Sequence, residues 1–238
     1  MDMTKKHALM QKERYTYADL LDILEILRSE DGCPWDREQT HASIRTCLIE
    51  ETYEVVEAID TANAVLLREE LGDLLFQIVF HAEIEREAAR FSMGDVVNDV
   101  CTKMIRRHPH VFGAAEAENA ERVISNWESI KTEEKQRKTL ADKLQAIPPM
   151  LPALMRAAKV AEKTGDAAAM ENSILSDVVR TSLAGERADK PCGAEVALGE
   201  LLYALAAWGR ARGIDAEAAL SAAVDCRIAR ETEKNDTV

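Results

Sequence analysis

Hydrophobic residues recur every three or four positions along most of the chain, the spacing that places them on one face of an α-helix. The first such helix carries its apolar residues between Leu20 and Leu27. It begins at Thr16, and Asp19 stands three positions later in the spacing of a capping box. No segment shows the alternation of a strand. Further helices are predicted over 38–60, 65–89, from Ser92 to a stop at His108-Pro109-His110, and over the charged segment 119–143.

A proline-rich segment, Ile147-Pro148-Pro149-Met150-Leu151-Pro152, separates two parts of the chain. We therefore predict a first helical unit over 1–146, a linker over 147–152 and a second helical unit over 153–238. The stretch 185–193 contains Pro191 and is predicted to be a loop. Helices are predicted in the second unit over 153–164, 172–184, 195–212 and 215–234.

The two units share a short sequence echo. Leu71-Gly72-Asp73-Leu74-Leu75-Phe76 is similar to Leu198-Gly199-Glu200-Leu201-Leu202-Tyr203, and an apolar helix continues after each. Chance similarity between two leucine-rich helices is the alternative. The echo favours two related helical units, of which the second has diverged.

The composition of the chain favours one fold class and disfavours two classes of binding partner. The 238 residues include 47% hydrophobic but only 5% aromatic residues, with few glycines and prolines, which favours long helices over sheets. We predict an all-α helical bundle. The 30 basic and 43 acidic side chains give a formal charge of −13. This charge disfavours nucleic acid and anionic membranes as partners, because both attract a basic surface.

The five cysteines are scattered, and none forms a Cys-x-x-Cys pair, so neither a zinc site nor a disulfide framework is indicated. The first fifteen residues are charged and lack the apolar core of a signal peptide. The most apolar run, 71–80, is too short to span a membrane. A cytoplasmic location is expected.

Acidic residues concentrate on the second and third predicted helices. If residues 61–64 turn the chain, the two helices run antiparallel, and Glu54 lies level with Glu70. Residues three apart share a helix face, so Glu51 and Asp73 join the same cluster. The acids concerned are Glu50, Glu51, Glu54 and Glu57 on the second helix, and Glu70 and Asp73 on the third.

Asp73 is the most informative of these acids, because apolar residues surround it in sequence and predict that its helix is buried. A buried carboxylate without a partner is costly, and four together repel one another. A hard divalent cation resolves both costs. Oxygen ligands favour Mg²⁺, with Mn²⁺ as a substitute, over zinc.

Two other interpretations of the acids stay open at this point. Glu50, Glu51 and Glu57 taken alone are typical of a solvated helix face. A di-iron bundle would need a Glu-x-x-His motif on each of two helices, and only Glu38 with His41 has that spacing.

Several blocks of the chain resemble the MazG family of nucleoside triphosphate pyrophosphohydrolases. The acidic block is Glu50-Glu51-Thr52-Tyr53-Glu54, followed after fifteen residues by Glu70-Leu71-Gly72-Asp73. The resemblance covers residues 17–160 closely and is weaker beyond them. The flanking blocks are Gly32-Cys33-Pro34-Trp35-Asp36, Gln39-Thr40-His41, the segment from Arg106 to Gly113, and Trp127-Glu128-Ser129-Ile130-Lys131.

The resemblance implies an all-α, Mg²⁺-dependent enzyme that hydrolyses a nucleoside triphosphate to the monophosphate and pyrophosphate. It implies that Glu51, Glu54, Glu70 and Asp73 are the metal ligands. Glu50 is the next candidate, either as an acid behind the metal ligands or as the catalytic base that positions the attacking water. A homodimer or larger homo-oligomer is expected from the family and from the helix patterns.

Substrate-binding candidates are cations that could contact phosphate and one aromatic ring that could stack on a base. Surface charge is the alternative for each cation, and a packing role is the alternative for the ring. Cys47 is expected to be a core residue, and no glycine-rich phosphate loop is present. The candidates are Trp35, Arg106, Arg107, Lys131 and Lys135.

The second unit departs from the family pattern. Aligning Glu200 with Asp73 places Ala197 where Glu70 stands, and only Asp177 falls near a second acidic block. A complete site is therefore expected only in the first unit. Two alternatives to a general triphosphate pyrophosphohydrolase remain at this stage. One is a narrower enzyme for dUTP or damaged nucleotides, and the other is a non-catalytic helical interaction module.

Overall fold

The structure is a computed structural model that describes residues 3–113, 119–134, 139–184 and 194–235. Within these residues the chain forms fourteen α-helices and no strand, which confirms the predicted all-α fold. The helices are α1 Met3–Met10, α2 Tyr17–Arg28, α3 Pro34–Glu38, α4 Arg45–Asp60, α5 Ala64–Glu87, α6 Met93–Arg107, α7 Pro109–Phe112, α8 Ala120–Glu134, α9 Leu140–Gln145, α10 Ala153–Thr164, α11 Asp166–Ala169, α12 Asn172–Ala184, α13 Ala194–Ala211 and α14 Ala216–Asn235.

Helix starts follow the capping residues that the sequence offers. At α2 the Asp19 backbone N–H donates to Thr16 Oγ1, and the Thr16 N–H donates to the Asp19 carboxylate in return. Ser92 and Asp95 form the same box at α6. Each box satisfies N–H groups that have no partner inside the helix. Both predicted starts are therefore confirmed.

Two predicted helices have different bounds in the structure. The helix predicted over 38–60 begins only at Arg45, because Thr40 and Ser43 exchange side-chain and backbone hydrogen bonds in a turn. Such local bonds compete with helix formation. The segment 119–143 contains α8 and α9 rather than one helix. The loop predicted over 185–193 lies outside the described residues.

The chain divides into two compact units, Met1–Val123 and Ile124–Val238. The proline-rich segment 147–152 lies within the second of these units, between α9 and α10. This division falls earlier in the chain than the linker on which the predicted domain bounds rest.

The core of the first unit is built from α2, α5 and the residue before α4. Leu24, Ile44, Val79 and Phe80 are its buried members. Arg28 extends this core because its guanidinium lies 5.2 Å from the centre of the Phe80 ring. Its Nη1 also donates to the carbonyl oxygens of Asp36 at 2.6 Å and Gln39 at 3.2 Å. Arg28 thereby fixes the segment that leads into α4.

The second unit has a core of small residues. Ala161, Ala167 and Ala207 are buried, with Met170 and Tyr203 packed against them. The Tyr203 hydroxyl donates to Asp166 at 2.6 Å. None of the helices in the described ranges combines the length and apolarity that a membrane crossing needs.

Candidate metal centre

The site depends on the hairpin of α4 and α5. The two helices are joined by the three residues Thr61–Asn63, so they run antiparallel. Asn63 Oδ1 accepts from the backbone N–H groups of Val65 at 3.2 Å and Leu66 at 3.1 Å and thereby caps α5. Ala62 takes a left-handed backbone conformation, with φ of 50°. The tight turn fixes which residues of the two helices lie level.

Three acids from the two helices converge. One carboxylate oxygen each of Glu51, Glu70 and Asp73 lies within 4.8 Å of the other two. Glu51 comes from α4, while Glu70 and Asp73 stand one turn apart on α5. Three of the four acids predicted to converge across the hairpin thus come together, and Glu54 is not a member of this group.

Glu54 lies close enough to act on two of these acids. Loss of hydration, followed by the charges of Asp73 and Glu54, raises the pKa of Glu51. Loss of hydration, followed by the charges of Glu54 and its other acidic neighbours, raises the pKa of Glu70. A hydrogen bond with Glu54 contributes to both shifts. The four acids repel one another in the metal-free protein.

The residues present fit a hard divalent cation. Their donors are carboxylate oxygens, which Mg²⁺ and Mn²⁺ prefer, and no histidine or cysteine belongs to the group of Glu51, Glu70 and Asp73. A cation among them would replace repulsion by attraction. The pKa values of Glu51 and Glu70 are raised partly by neighbouring negative charges, and a bound cation would relieve this repulsion.

The predicted burial of Asp73 is wrong, because its side chain is exposed in the chain. Its neighbour Leu71 is 49% exposed, and Leu75 and Phe76 are only partly buried against the core, whereas Val79 is 2% exposed. The core of this unit packs on the C-terminal half of α5, around Val79 and Phe80. The convergence of the acids, rather than the burial of Asp73, thus carries the argument for a metal.

The other predicted residues lie in varied places. Glu50 is exposed on α4 and lies one turn before Glu54. Trp35 stands in α3 and is 62% exposed, which argues against the alternative that it is a packing residue.

The predicted phosphate-binding cations differ in exposure. Arg106 is exposed and Arg107 is 6% exposed, both in the last turn of α6. Lys131 belongs to α8 in the second unit, and Lys135 lies outside the described residues.

A polar network on α5 escaped the sequence analysis. His41 Nε2 lies 2.5 Å from Glu85 Oε1, and His41 Nδ1 lies 2.7 Å from His81 Nδ1. The two imidazole rings stack with centroids 5.0 Å apart. Arg90 donates from Nε and Nη2 to Glu85. The partners stand 40 or more residues apart from His41, so no local spacing could have indicated the network.

Comparisons with known proteins give one family. The family model of the MazG nucleotide pyrophosphohydrolase domain matches residues 39–112, which include the hairpin and its acids. A Thermotoga maritima protein called nucleoside triphosphate pyrophosphohydrolase/pyrophosphatase MazG is 37% identical over 214 residues, covering 89% of this chain and 82% of that protein.

Two further relatives carry the name nucleoside triphosphate pyrophosphohydrolase. The Escherichia coli K12 protein is 50% identical over 145 residues, or 60% of this chain. The Mycobacterium tuberculosis protein is 38% identical over 149 residues, or 62% of this chain. The matched stretch spans 55% of the Escherichia coli protein and 45% of the Mycobacterium tuberculosis protein, so the chain corresponds to about half of each.

Replacing Asp73 by Asn should raise the melting temperature of the metal-free protein at pH 7, because it relieves repulsion on Glu51 and Glu70. Relief of two like-charge contacts on a helix surface corresponds to a rise of about 1–4 °C for a chain of this size. Thermal unfolding in excess chelator measures the change.

Glu57→Gln is the matched control, because it removes one negative charge from α4 at an exposed position outside the group of converging acids. It should shift the melting temperature less than Asp73→Asn does. Equal shifts for the two variants would show that net charge, and not convergence at Asp73, governs the effect.

Proposed function

Because this chain belongs to the MazG nucleotide pyrophosphohydrolase family, we propose that it hydrolyses nucleoside triphosphates to the monophosphate and pyrophosphate, with Mg²⁺ as cofactor. The observation that supports this most directly is the convergence of Glu51, Glu70 and Asp73 on one point between two helices. A solvated acidic face would spread its charges apart. Here two helices bring the charges together.

Each acid has a proposed role. Glu51, Glu70 and Asp73 hold the metal, and Glu54 completes the set from α4. Mg²⁺ held by these residues would neutralise phosphate charge and make a water molecule bound to it more acidic. Glu50, one turn from Glu54 and exposed, orients the attacking water and takes up its proton.

The leaving pyrophosphate needs positive charge on the protein. We assign this role first to Arg106, because it is exposed, whereas Arg107 is 6% exposed and reaches solvent only after rearrangement. Lys131 and Lys135 stay candidates on the family resemblance alone. Trp35 presents its ring to solvent at α3, which suits stacking on a nucleobase.

The proposed working form is a homodimer or a larger homo-oligomer. A monomer that exposes so many large apolar side chains on consecutive helices has an unusually apolar surface. A second copy of the chain would cover them. The exposed side chains are Ile49, Tyr53, Val56 and Ile59 on α4, Val65, Leu71 and Ile78 on α5, and Val97, Val100 and Ile105 on α6.

We propose the cytoplasm as the place of action. The supporting observation is that Cys33, Cys47, Cys101 and Cys226, the cysteines that the structure describes as free, form no disulfide with one another. Reduced thiols are the usual state in that compartment.

The first test is the reaction itself. Each of a panel of nucleoside triphosphates, including dUTP and oxidised purine nucleotides, is incubated with the protein and Mg²⁺, and the products are separated by chromatography. We expect monophosphate and pyrophosphate, with turnover abolished by chelator and restored by Mn²⁺. Mg²⁺ should also raise the melting temperature, because a ligand that binds only the folded state stabilises it. Successive release of diphosphate and phosphate would contradict the proposed bond cleavage, and no turnover of any nucleotide would favour a non-catalytic module.

The second test locates the site. Asp73→Asn and Glu54→Gln should each reduce turnover about a hundredfold or more, since disturbing even outer neighbours of a metal ligand costs about 10- to 100-fold. Both should keep the fold, as judged by circular dichroism. Glu200→Gln is the matched control at the echo position, where Ala197 replaces the acid of Glu70, and it should leave turnover unchanged. A silent Asp73→Asn beside an inactive Glu200→Gln would place the site in the second unit.

The third test concerns assembly. Light scattering should give at least twice the 26.4 kDa of one chain. Ile59→Glu places a charge in the exposed apolar surface of α4 and should lower the mass to that of one chain. Met10→Glu, at a position that is 72% exposed on α1, is the control and should not change the assembly. A monomeric parent protein at micromolar concentration would contradict the proposal.

A further inference from the structure

Buried polar atoms without a hydrogen-bond partner are unusual, and each calls for a reason. In the described part of the chain four side-chain atoms are of this kind: Gln77 Oε1, His81 Nε2, His110 Nδ1 and Glu217 Oε2. The first two belong to α5 and stand one turn apart. Gln77 is only 8% exposed. Two of the four unsatisfied atoms thus lie on the helix that carries Glu70 and Asp73.

The hydrogen-bond partners of His81 indicate whether its Nε2 atom would donate or accept a hydrogen bond. Glu85 is ionised, because Arg90 and then His41 hold its pKa at about 2, against the opposing effect of burial. A carboxylate only accepts hydrogen bonds, so His41 Nε2 carries the proton and donates to Glu85 at 2.5 Å. We take His41 with a single ring proton, on Nε2, so that its Nδ1 accepts from His81 Nδ1 at 2.7 Å.

His81 is then left with a lone pair on Nε2. Loss of hydration lowers the pKa of His81, and a positive charge on His41 would lower it further, so the neutral ring of His81 is favoured. The order of donors runs from His81 through His41 to Glu85, and Arg90 neutralises the end of the chain. The network therefore presents one acceptor, His81 Nε2, for which the described residues supply no donor.

Helix geometry aligns this acceptor with the metal centre. Gln77 and His81 follow Glu70 by seven and eleven residues, or about two and three full turns, so all three lie on one face of α5. From Asp73 the distances along the helix axis are about 6 Å to Gln77 and about 12 Å to His81. A nucleotide bound by its phosphates at the acids can extend its sugar and base along this face.

We propose that His81 Nε2 and Gln77 form the nucleoside subsite, in which His81 accepts a hydrogen bond from an N–H or O–H group of the sugar or base. His41 and Glu85 are positioning residues that hold His81 as an acceptor. Nε2 is buried in the free chain, so the proposal requires a local rearrangement that gives the nucleoside access to it. This inference rests on the proposed function, because it takes the phosphates to be bound at Glu51, Glu70 and Asp73.

The direct test is nitrogen NMR of ¹⁵N-histidine-labelled protein at pH 8 with Mg²⁺. We expect the resonance of an unprotonated nitrogen at His81 Nε2 and of a protonated one at His41 Nε2. Adding AMP should shift His81 Nε2, whereas pyrophosphate alone should not. If dAMP causes the same shift, the donor is on the base or the 3′-hydroxyl, and if it does not, the donor is the 2′-hydroxyl. A protonated His81 Nε2, or a resonance that AMP leaves in place because only water occupies the position, would overturn the proposal.

Kinetics give a second readout. His81→Phe keeps a flat ring but removes the acceptor, so KM for nucleoside triphosphates should rise about tenfold with kcat nearly unchanged. His81→Gln keeps an acceptor and should recover most of that loss. His7→Phe on α1, where His7 is exposed, is the matched control and should not change KM. An equal loss in His81→Phe and His81→Gln would mean that the ring acts in packing alone.

The positioning role has its own signature. Glu85→Gln removes the charge that orders the protons, so His81 Nε2 should become partly protonated in the NMR spectrum, and KM should rise with kcat retained. An unchanged spectrum for Glu85→Gln would overturn that role.

The two proposals fail separately. A shift of His81 by AMP in a protein without turnover would keep the subsite and reject the hydrolase. Normal turnover with no shift would do the reverse.

Discussion

The repulsion among carboxylates at the α4–α5 hairpin is the constraint on which the rest of the structure depends. Glu51, Glu70 and Asp73 bring oxygens within 4.8 Å of one another, although like charges so close disfavour the folded state. The short turn capped by Asn63 places the two helices side by side and brings these acids together. Stability comes from elsewhere in the unit, namely the Leu24 and Phe80 core at the other end of α5. One end of α5 is therefore stabilised by burial in the core, and the other end carries carboxylates that repel one another. Such a local conflict is typical of functional sites.

Sequence patterns predicted the elements whose causes are local. The capping residues Thr16 and Ser92 and the three-residue turn at 61–63 act over a few positions, so the helix starts and the convergence of acids followed from spacing. The late start of α4 did not follow, because hydrogen bonds of Thr40 and Ser43 outweigh helix propensity there.

Features that depend on distant contacts could not be predicted. Periodicity shows that a helix has an apolar face but not what covers it, and for this reason the exposure of Asp73 was missed. The bond between His41 and Glu85 joins residues 44 positions apart, and Arg28 fixes the approach to α4 through two backbone oxygens. Such contacts become visible only once α2, α4 and α5 are packed. The roles of Arg106, Arg107, Lys131 and Lys135 depend in the same way on where a substrate lies.

The second unit shows what the face of α5 becomes when the acid at the position of Glu70 is replaced, here by Ala197. When α13 is aligned with α5 so that Leu198 matches Leu71, Ala197 takes the position of Glu70, Ala204 that of Gln77 and Trp208 that of His81. Ala204 is 3% exposed and adds to the core, and Trp208 Nε1 donates to Asn172 at 2.9 Å, so the corresponding face has no unsatisfied acceptor at these positions. A helix with the same Leu-Gly pattern can therefore carry alanine and tryptophan at these positions and leave no buried polar atom there without a hydrogen bond. In the first unit Gln77 and His81 carry unsatisfied atoms on the helix that also has an acid at position 70, where the second unit has Ala197, and this difference agrees with the proposed nucleoside subsite.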